Sequence, residues 1–397
     1  MKVLLASLLC LMVALQYCAA EDISFGGHIK YQPTFSRIAT DQSNSLDGFL
    51  DIRTRLSVKV SPLEFNLHGL LSGVSGDTLE KNSVSSAFLN NLFLPLTGEN
   101  SETFDLSREL HAGERSKYNI MLDRLNLAYT DKDYIIKLGR QAVSWGNGIL
   151  FQVVDVFNPF SPVAVDREYK SGSDLAYFQY LFSDGSDLQF LIVPRRDFLT
   201  GNISDSSSSY AAKYHGRINK FSADYDIVAA RHFDKVMLAA GAYGDIYGSV
   251  VRADLAWMQT LDRDFISAVL NADRSWTIGG KNIYAFIELF FNGSGLDCCN
   301  YREPDAVLLE RFRRAEIFTA GRLYSASGIR IELTPLYNVF VSEVLNLEKG
   351  SGLLQLKNEF DISDDLTAVL GLNISHGATG DTISGLRQLY LRVAYYF

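Results

Sequence analysis

Between Leu50 and Val60 the side chains alternate without a break. Leu50, Ile52, Thr54, Leu56, Val58 and Val60 share one parity, and Asp51, Arg53, Arg55, Ser57 and Lys59 share the other. Period two is the signature of a β-strand, whose successive side chains point to opposite faces. The apolar face of such a strand has to be covered. In water a second layer of protein covers it; in a bilayer lipid does, and the charged face then turns to an aqueous interior.

Segments of the same kind recur along the chain, near 23–31, 63–71, 120–129, 133–139, 176–183, 187–194, 208–216, 220–230 and 235–245. Others lie near 248–259, 264–273, 282–292, 314–324, 328–339, 352–362, 365–375 and 386–397. Short polar links such as Ser183–Asp187, Phe233–Lys235 and Ser363–Asp365 read as hairpin connections. This pattern predicts an all-β protein, a single closed antiparallel transmembrane β-barrel of 16 or 18 strands, because single-chain bacterial barrels use even numbers. Three stretches break the rhythm and read as long loops: 75–117, 140–175 and 293–313, the last with a short helix over Ala306–Arg314.

Composition supports lipid as the outer solvent. Phe (25) and Tyr (20) are abundant and Pro (8) is scarce. No run after residue 20 is long and apolar enough for a transmembrane helix, whereas a closed barrel spans lipid with every backbone group paired. A formal net charge of −9 argues against a nucleic-acid partner. The first twenty residues read as a cleaved signal peptide: Lys2, an apolar run from Val3, then Cys18, Ala19 and Ala20 before Glu21. That leaves 21–397 as one barrel domain. Of four cysteines, only the adjacent Cys298 and Cys299 lie beyond the leader, and they are a candidate vicinal disulfide.

The final segment places Leu389, Leu391, Val393, Tyr395 and Phe397 on one face, with Gln388, Tyr390, Arg392, Ala394 and Tyr396 on the other. It resembles the closing strand of a bacterial outer-membrane barrel, in which Phe397, Tyr395 and Val393 serve as an assembly signal. That implies the barrel-assembly machinery as a partner and the outer membrane of a Gram-negative bacterium as the location.

The polar parity of several segments carries charge of both signs. Arg53, Arg55, Lys59, Lys137, Arg252, Asp254, Glu288, Glu316, Arg322, Arg330, Glu332 and Arg392 are the candidate pore-lining residues. They either cross-brace a water-filled wall or form a constriction that selects permeants. The 140–175 stretch gathers glycines, prolines and charges, with Arg140, Gln141, Trp145, Asp155, Asp166, Arg167 and Lys170 as constriction candidates. Arg140 has the lipid-facing parity of Tyr134, Ile136 and Leu138, so it must lie beyond the hydrocarbon band or after a bulge.

Gly139-Arg-Gln141, Ser144-Trp-Gly-Asn-Gly148 and Asp155-Val-Phe-Asn-Pro-Phe160, in that order, are similar to a group of Gram-negative porin-like barrels that includes the alginate-export-like class. Asn292-Gly-Ser-Gly295 and Thr334-Pro-Leu336 add to the likeness. The resemblance implies a diffusion channel or a substrate-specific exporter or uptake barrel. Enzyme signatures are weaker. The six histidines show no metal-ligand spacing, and none has a Ser on a clear motif, Ser375 and His376 being adjacent only in sequence. A barrel lipid hydrolase is therefore the lesser alternative, and no catalytic residue, metal or cofactor is expected. The leading expectation is a passive outer-membrane channel for small hydrophilic solutes, with lipids as its surroundings and a homo-oligomer as one possible state.

Overall fold

A computed structural model describes residues 22–38, 43–81, 101–157, 159–197, 199–260, 263–297, 305–377 and 385–397. The leader, the apolar patch from Ala87 to Pro95, and Cys298 and Cys299 lie outside the described residues.

The chain begins as a meander of β1 (Asp22–Ile38), β2 (Ser43–Val60) and β3 (Leu63–Gly76), followed by a short helix α1 (Asp77–Lys81). Next come a short strand β4 (Ser107–Ala112), then β5 (Ser116–Thr130) and β6 (Tyr134–Gln141). Beyond a long loop lie β7 (Ser173–Leu181), β8 (Asp187–Arg196), β9 (Ile203–Ile218) and β10 (Ala223–His232). The meander goes on through β11 (Lys235–Ile246), β12 (Ser249–Met258), β13 (Phe265–Ile278) and β14 (Lys281–Phe291). After helix α2 (Ala306–Arg313) it finishes with β15 (Leu323–Thr334), β16 (Tyr337–Asn346), β17 (Ser351–Ser363), β18 (Leu366–His376) and β19 (Leu386–Tyr396).

Neighbouring strands run antiparallel throughout, and β19 returns to pair with β1 from His28↔Tyr396 to Ile38↔Leu386. That contact closes an 18-stranded barrel; β4 is the nineteenth strand and stands outside the count. It pairs with the upper half of β5, where β6 has already turned away into the lumen. Turns at one end are short, two of them the two-residue links Tyr247–Gly248 and Gly279–Gly280, all at positive φ, the conformation that matches strand twist. The opposite end carries the long connections 77–115, 142–172 and 292–322.

The alternation read from sequence maps onto the wall. Phe25, Ile29, Tyr31, Leu389, Leu391, Tyr395 and Phe397 point outward and are exposed. Their neighbours His28, Lys30, Thr34, Gln388, Tyr390 and Ala394 point inward and are buried. Among the described residues, no helix is long and apolar enough to cross a membrane.

Two expectations need correction. The 314–324 segment is not a strand: residues 314–322 form the end of a loop after α2, with Ala315 at a positive φ of 54° and Ile317 packed on Leu296, Leu308 and Phe312. Glu316 and Arg322 therefore sit in that loop and not on a strand face. The 328–339 segment is not one strand either. A tight turn at Pro335–Leu336 splits it, pairing Thr334 with Tyr337, and opens the unforeseen β16. One strand too many and one too few cancel, so eighteen emerges from both sequence and structure.

Candidate pore constriction

The loop 142–172 enters the barrel and packs along its inner wall. Phe151, Val153, Val154, Val156, Phe157 and Val163 join wall residues such as Leu191, Val228, Met237, Val269, Phe290 and Leu353 in one apolar core. Phe151 stacks on Phe290 with centroids 4.5 Å apart, and Trp145 meets Phe157 edge to face. A large part of the inner wall is therefore dry packing surface, whereas the sequence suggested only a charged lining. Burial of this many large side chains holds the loop in one place.

Polar anchors fix its register. Glu288 on β14 accepts the backbone N–H groups of Ile149, Leu150 and Phe151 at 2.5, 2.8 and 2.8 Å, and the Asn271 amide at 3.0 Å. Asp254 on β12 accepts the N–H of Asn147 at 2.5 Å and its side-chain amide at 2.7 Å. Gly241 makes room for that contact: a Cβ there would stand 2.2 Å from Asp254 Oδ1. Gly148 is equally constrained, since its Cβ would fall 1.7 Å from the Phe151 carbonyl oxygen. Within the loop Lys170 donates to Asp155, to the Val143 carbonyl and, at 3.2 Å, to Ser144 Oγ. Burial pushes the Asp155 carboxyl up and the Lys170 ammonium down, and each charge offsets part of the other's shift.

The far edge of the loop docks on the β1–β2–β19 wall. Asp166 takes Lys30 at 2.8 Å and Arg392 at 3.1 Å, and Glu168 takes Lys30 as well. Burial alone would raise the Asp166 carboxyl, but the charges of Arg392 and Lys30 hold it well below the usual range. Tyr169 lies under three cations, with Arg53 at 4.3 Å and Lys30 and Arg55 at 5.8 Å from its ring centre. Arg53 also donates to Asp123 at 2.5 Å. Asp123 reaches the lumen because a bulge between β3 and β5 turns both it and Arg124 inward. Arg167 lies over the Phe160 ring at 5.5 Å, and burial lowers its guanidinium.

The remaining candidates scatter. Lys137 stands over the Tyr177 ring, and Arg252 pairs with Asp273. Arg330 is exposed in the lumen. Lys59 and Glu332 mark the short-turn end, where Glu332 accepts from Asn282 at 3.0 Å. Arg322 braces the 292–322 loop through Asp297 and the Gly295 carbonyl. Gln141 is buried at the top of β6. Arg140 keeps its outward parity and is covered: Asp174 grips it at 2.9 Å, and residues 102–106 lie across the pair, with the Phe104 carbonyl accepting at 2.7 Å.

One cluster was not foreseen. Strand register sets His232 opposite Ser209, 2.8 Å from Nδ1 to Oγ, and Glu316 approaches Nε2 at 3.3 Å. Residues 23 apart become neighbours only once the β9–β10 pairing is fixed, so no local motif announces them. The order is that of a nucleophile, base and acid, but all three side chains are buried, Ser209 and His232 on the wall and Glu316 in the 292–322 loop. Burial would raise Glu316, yet His232, Arg311 and Arg314 hold it down at about 2. Such a charge network ties the loop to the wall.

The same architecture recurs in solved structures. The chain superposes on a BenF-like porin from Pseudomonas fluorescens Pf-5 with a TM-score of 0.57 at 9% identity, over 95% of this chain and 99% of that one. OccAB4 from Acinetobacter baumannii gives 0.54 at 8% identity over 96% and 99%. The outer membrane protein OpdK from Pseudomonas aeruginosa gives 0.52 at 10% identity over 94% and 99%, and it has also been solved with vanillate. The fold is a porin fold. No family model matches the sequence, and no curated protein does. At these identities the likeness speaks for architecture alone.

Proposed function

We propose that this protein is a passive channel of a Gram-negative outer membrane, admitting small hydrophilic solutes past the 142–172 loop. One observation carries the reading: a closed 18-strand barrel with an apolar exterior holds a loop inside its lumen, pinned by Glu288, Asp254, Lys30 and Arg392. A barrel serving only as a scaffold or anchor has no need of an internal loop held from several sides. A channel does, because a narrow passage selects permeants without turnover. The long-loop end would face the exterior and the short turns the periplasm. Lipid contacts the outward apolar band, residues 1–20 direct export, and Phe397, Tyr395 and Val393 present the assembly signal to the barrel-assembly machinery.

A second reading, a substrate-specific barrel, is favoured by how much of the lumen the loop fills. Neighbours described as a BenF-like porin and as the outer membrane protein OpdK with vanillate lend it weight. Stepwise currents in planar bilayers test the channel itself; a solute that blocks those currents saturably favours specificity over general diffusion. Protein that fractionates with outer membranes but never gives a step contradicts both.

A further inference from the structure

The constriction leaves a second space open on its short-turn side. Below Trp145 and Asn147 lies a cavity of about 490 Å³ walled by Asp187, Lys213, His215, Asp226 and Arg252. The strand register builds it. Asp187 pairs with His215 across β8–β9, and His215 with Asp226 across β9–β10, so acid, base and acid stand in one row. Lys213 lies two residues along β9 on the same face, and Arg252 reaches in from β12.

Two of these groups have bonding capacity left over among the described residues. The Lys213 ammonium makes no hydrogen bond; it stands 3.5 Å from Asp226 Oδ1 and 6.0 Å from the centre of the Trp145 ring. Asp187 receives one bond, from Gln189 at 2.7 Å on Oδ1, which leaves Oδ2 without a donor. By contrast Asp226 also takes His215 at 3.0 Å, and Arg252 is held by Asp273 and Asn271. The cavity thus presents one under-used cation and one under-used carboxylate.

We infer that this cavity is a binding site for small zwitterions, solutes that carry a carboxylate and an ammonium together, as free α-amino acids do. Lys213 takes the carboxylate and Asp187 the ammonium. An anion alone leaves the spare oxygen of Asp187 without a donor, and a cation alone leaves Lys213 without an acceptor. Shape agrees with charge, since the volume suits a solute of amino-acid size and leaves room for water. The inference rests on the channel reading for its meaning, as a station below the constriction, but binding can be measured without current.

Trp145 supplies the readout. It lies against the cavity, whereas Trp257 and Trp276 share the outward parity of Leu255 and Leu270. Detergent-solubilised barrel is titrated with glutamine, propionate and propylamine, following tryptophan emission and, separately, calorimetric heat. Glutamine should give a saturable signal, with propionate and propylamine far weaker. Asp187→Asn and Lys213→Gln should each weaken glutamine by about tenfold, the loss of one charge-assisted hydrogen bond. Retained heat-modifiable migration on gels certifies that each variant is folded. Equal responses to glutamine and propionate overturn the site, as does glutamine binding unchanged in both folded variants, or neither heat nor emission change with native protein. A barrel that binds glutamine yet passes no current overturns the channel and leaves this site standing.

Discussion

Glu288 shows how one side chain can position a whole loop. Its carboxylate accepts three consecutive backbone N–H groups beside the buried ring of Phe151. Glu288→Ala should weaken loop docking by about 3 kcal/mol, the cost of stranding buried donors. The expected result is a noisier single-channel current and faster proteolysis within 142–172; quiet currents and unchanged cleavage would contradict it. Asp166 gives a pH dependence of definite sign. Its folded carboxyl titrates below the ordinary 3.8, so the released loop takes up protons first as pH falls. The tether to Lys30 and Arg392 is at full strength above the ordinary value and is lost as pH drops beneath it. Currents should therefore become noisy only under about pH 4, and Asp166→Asn should be noisy already at neutral pH. An acid response that persists unaltered in the variant would count against this tether.

Among elements, the strap formed by residues 101–106 has a role that strand counting does not reveal. It covers an outward-facing ion pair, Arg140 with Asp174, where the wall would otherwise present charge to lipid. Arg140→Ala leaves Asp174 buried and unpaired, so the urea midpoint in lipid vesicles should fall by the equivalent of about 3 kcal/mol or more, with Arg140→Lys recovering part of it. An unmoved midpoint would mean that the covered pair contributes nothing to stability. Legibility in the sequence also varied by element. β2 and β19 were plain because one face meets lipid and the other charge or water. β16 was hidden because neither face is uniform: Phe340 and Val344, which face the loop core, alternate with Asn338, Ser342 and Asn346, and Glu343 interrupts the outward row of Val339, Val341 and Leu345. Residues 314–322 misled because Glu316 and Ile317 enter two different packed clusters, with a single bridge from Gly321 to Leu296 in place of a strand.

For the whole molecule, the architecture was legible and the contents of the lumen were not. Parity alone placed Asp254, Glu288 and Arg392 on the inner face. Their partners are backbone N–H groups of a distant loop or carboxylates far away along the chain, and neither leaves a local pattern. The apolar packing of the loop was hidden in the same way, because Phe151 and Phe157 lie among glycines and prolines and not in a periodic run. What the assembled barrel adds is an internal loop packed on the inner wall, with a cavity beside Trp145. The direct test is single-channel conductance of the native protein beside a variant in which residues 146–163 are replaced by a short Gly-Ser linker. The native channel should give small, stable steps and the variant steps several-fold larger. Equal conductance in the two would show that the loop does not set the passage, and the absence of steps from both would remove the channel itself.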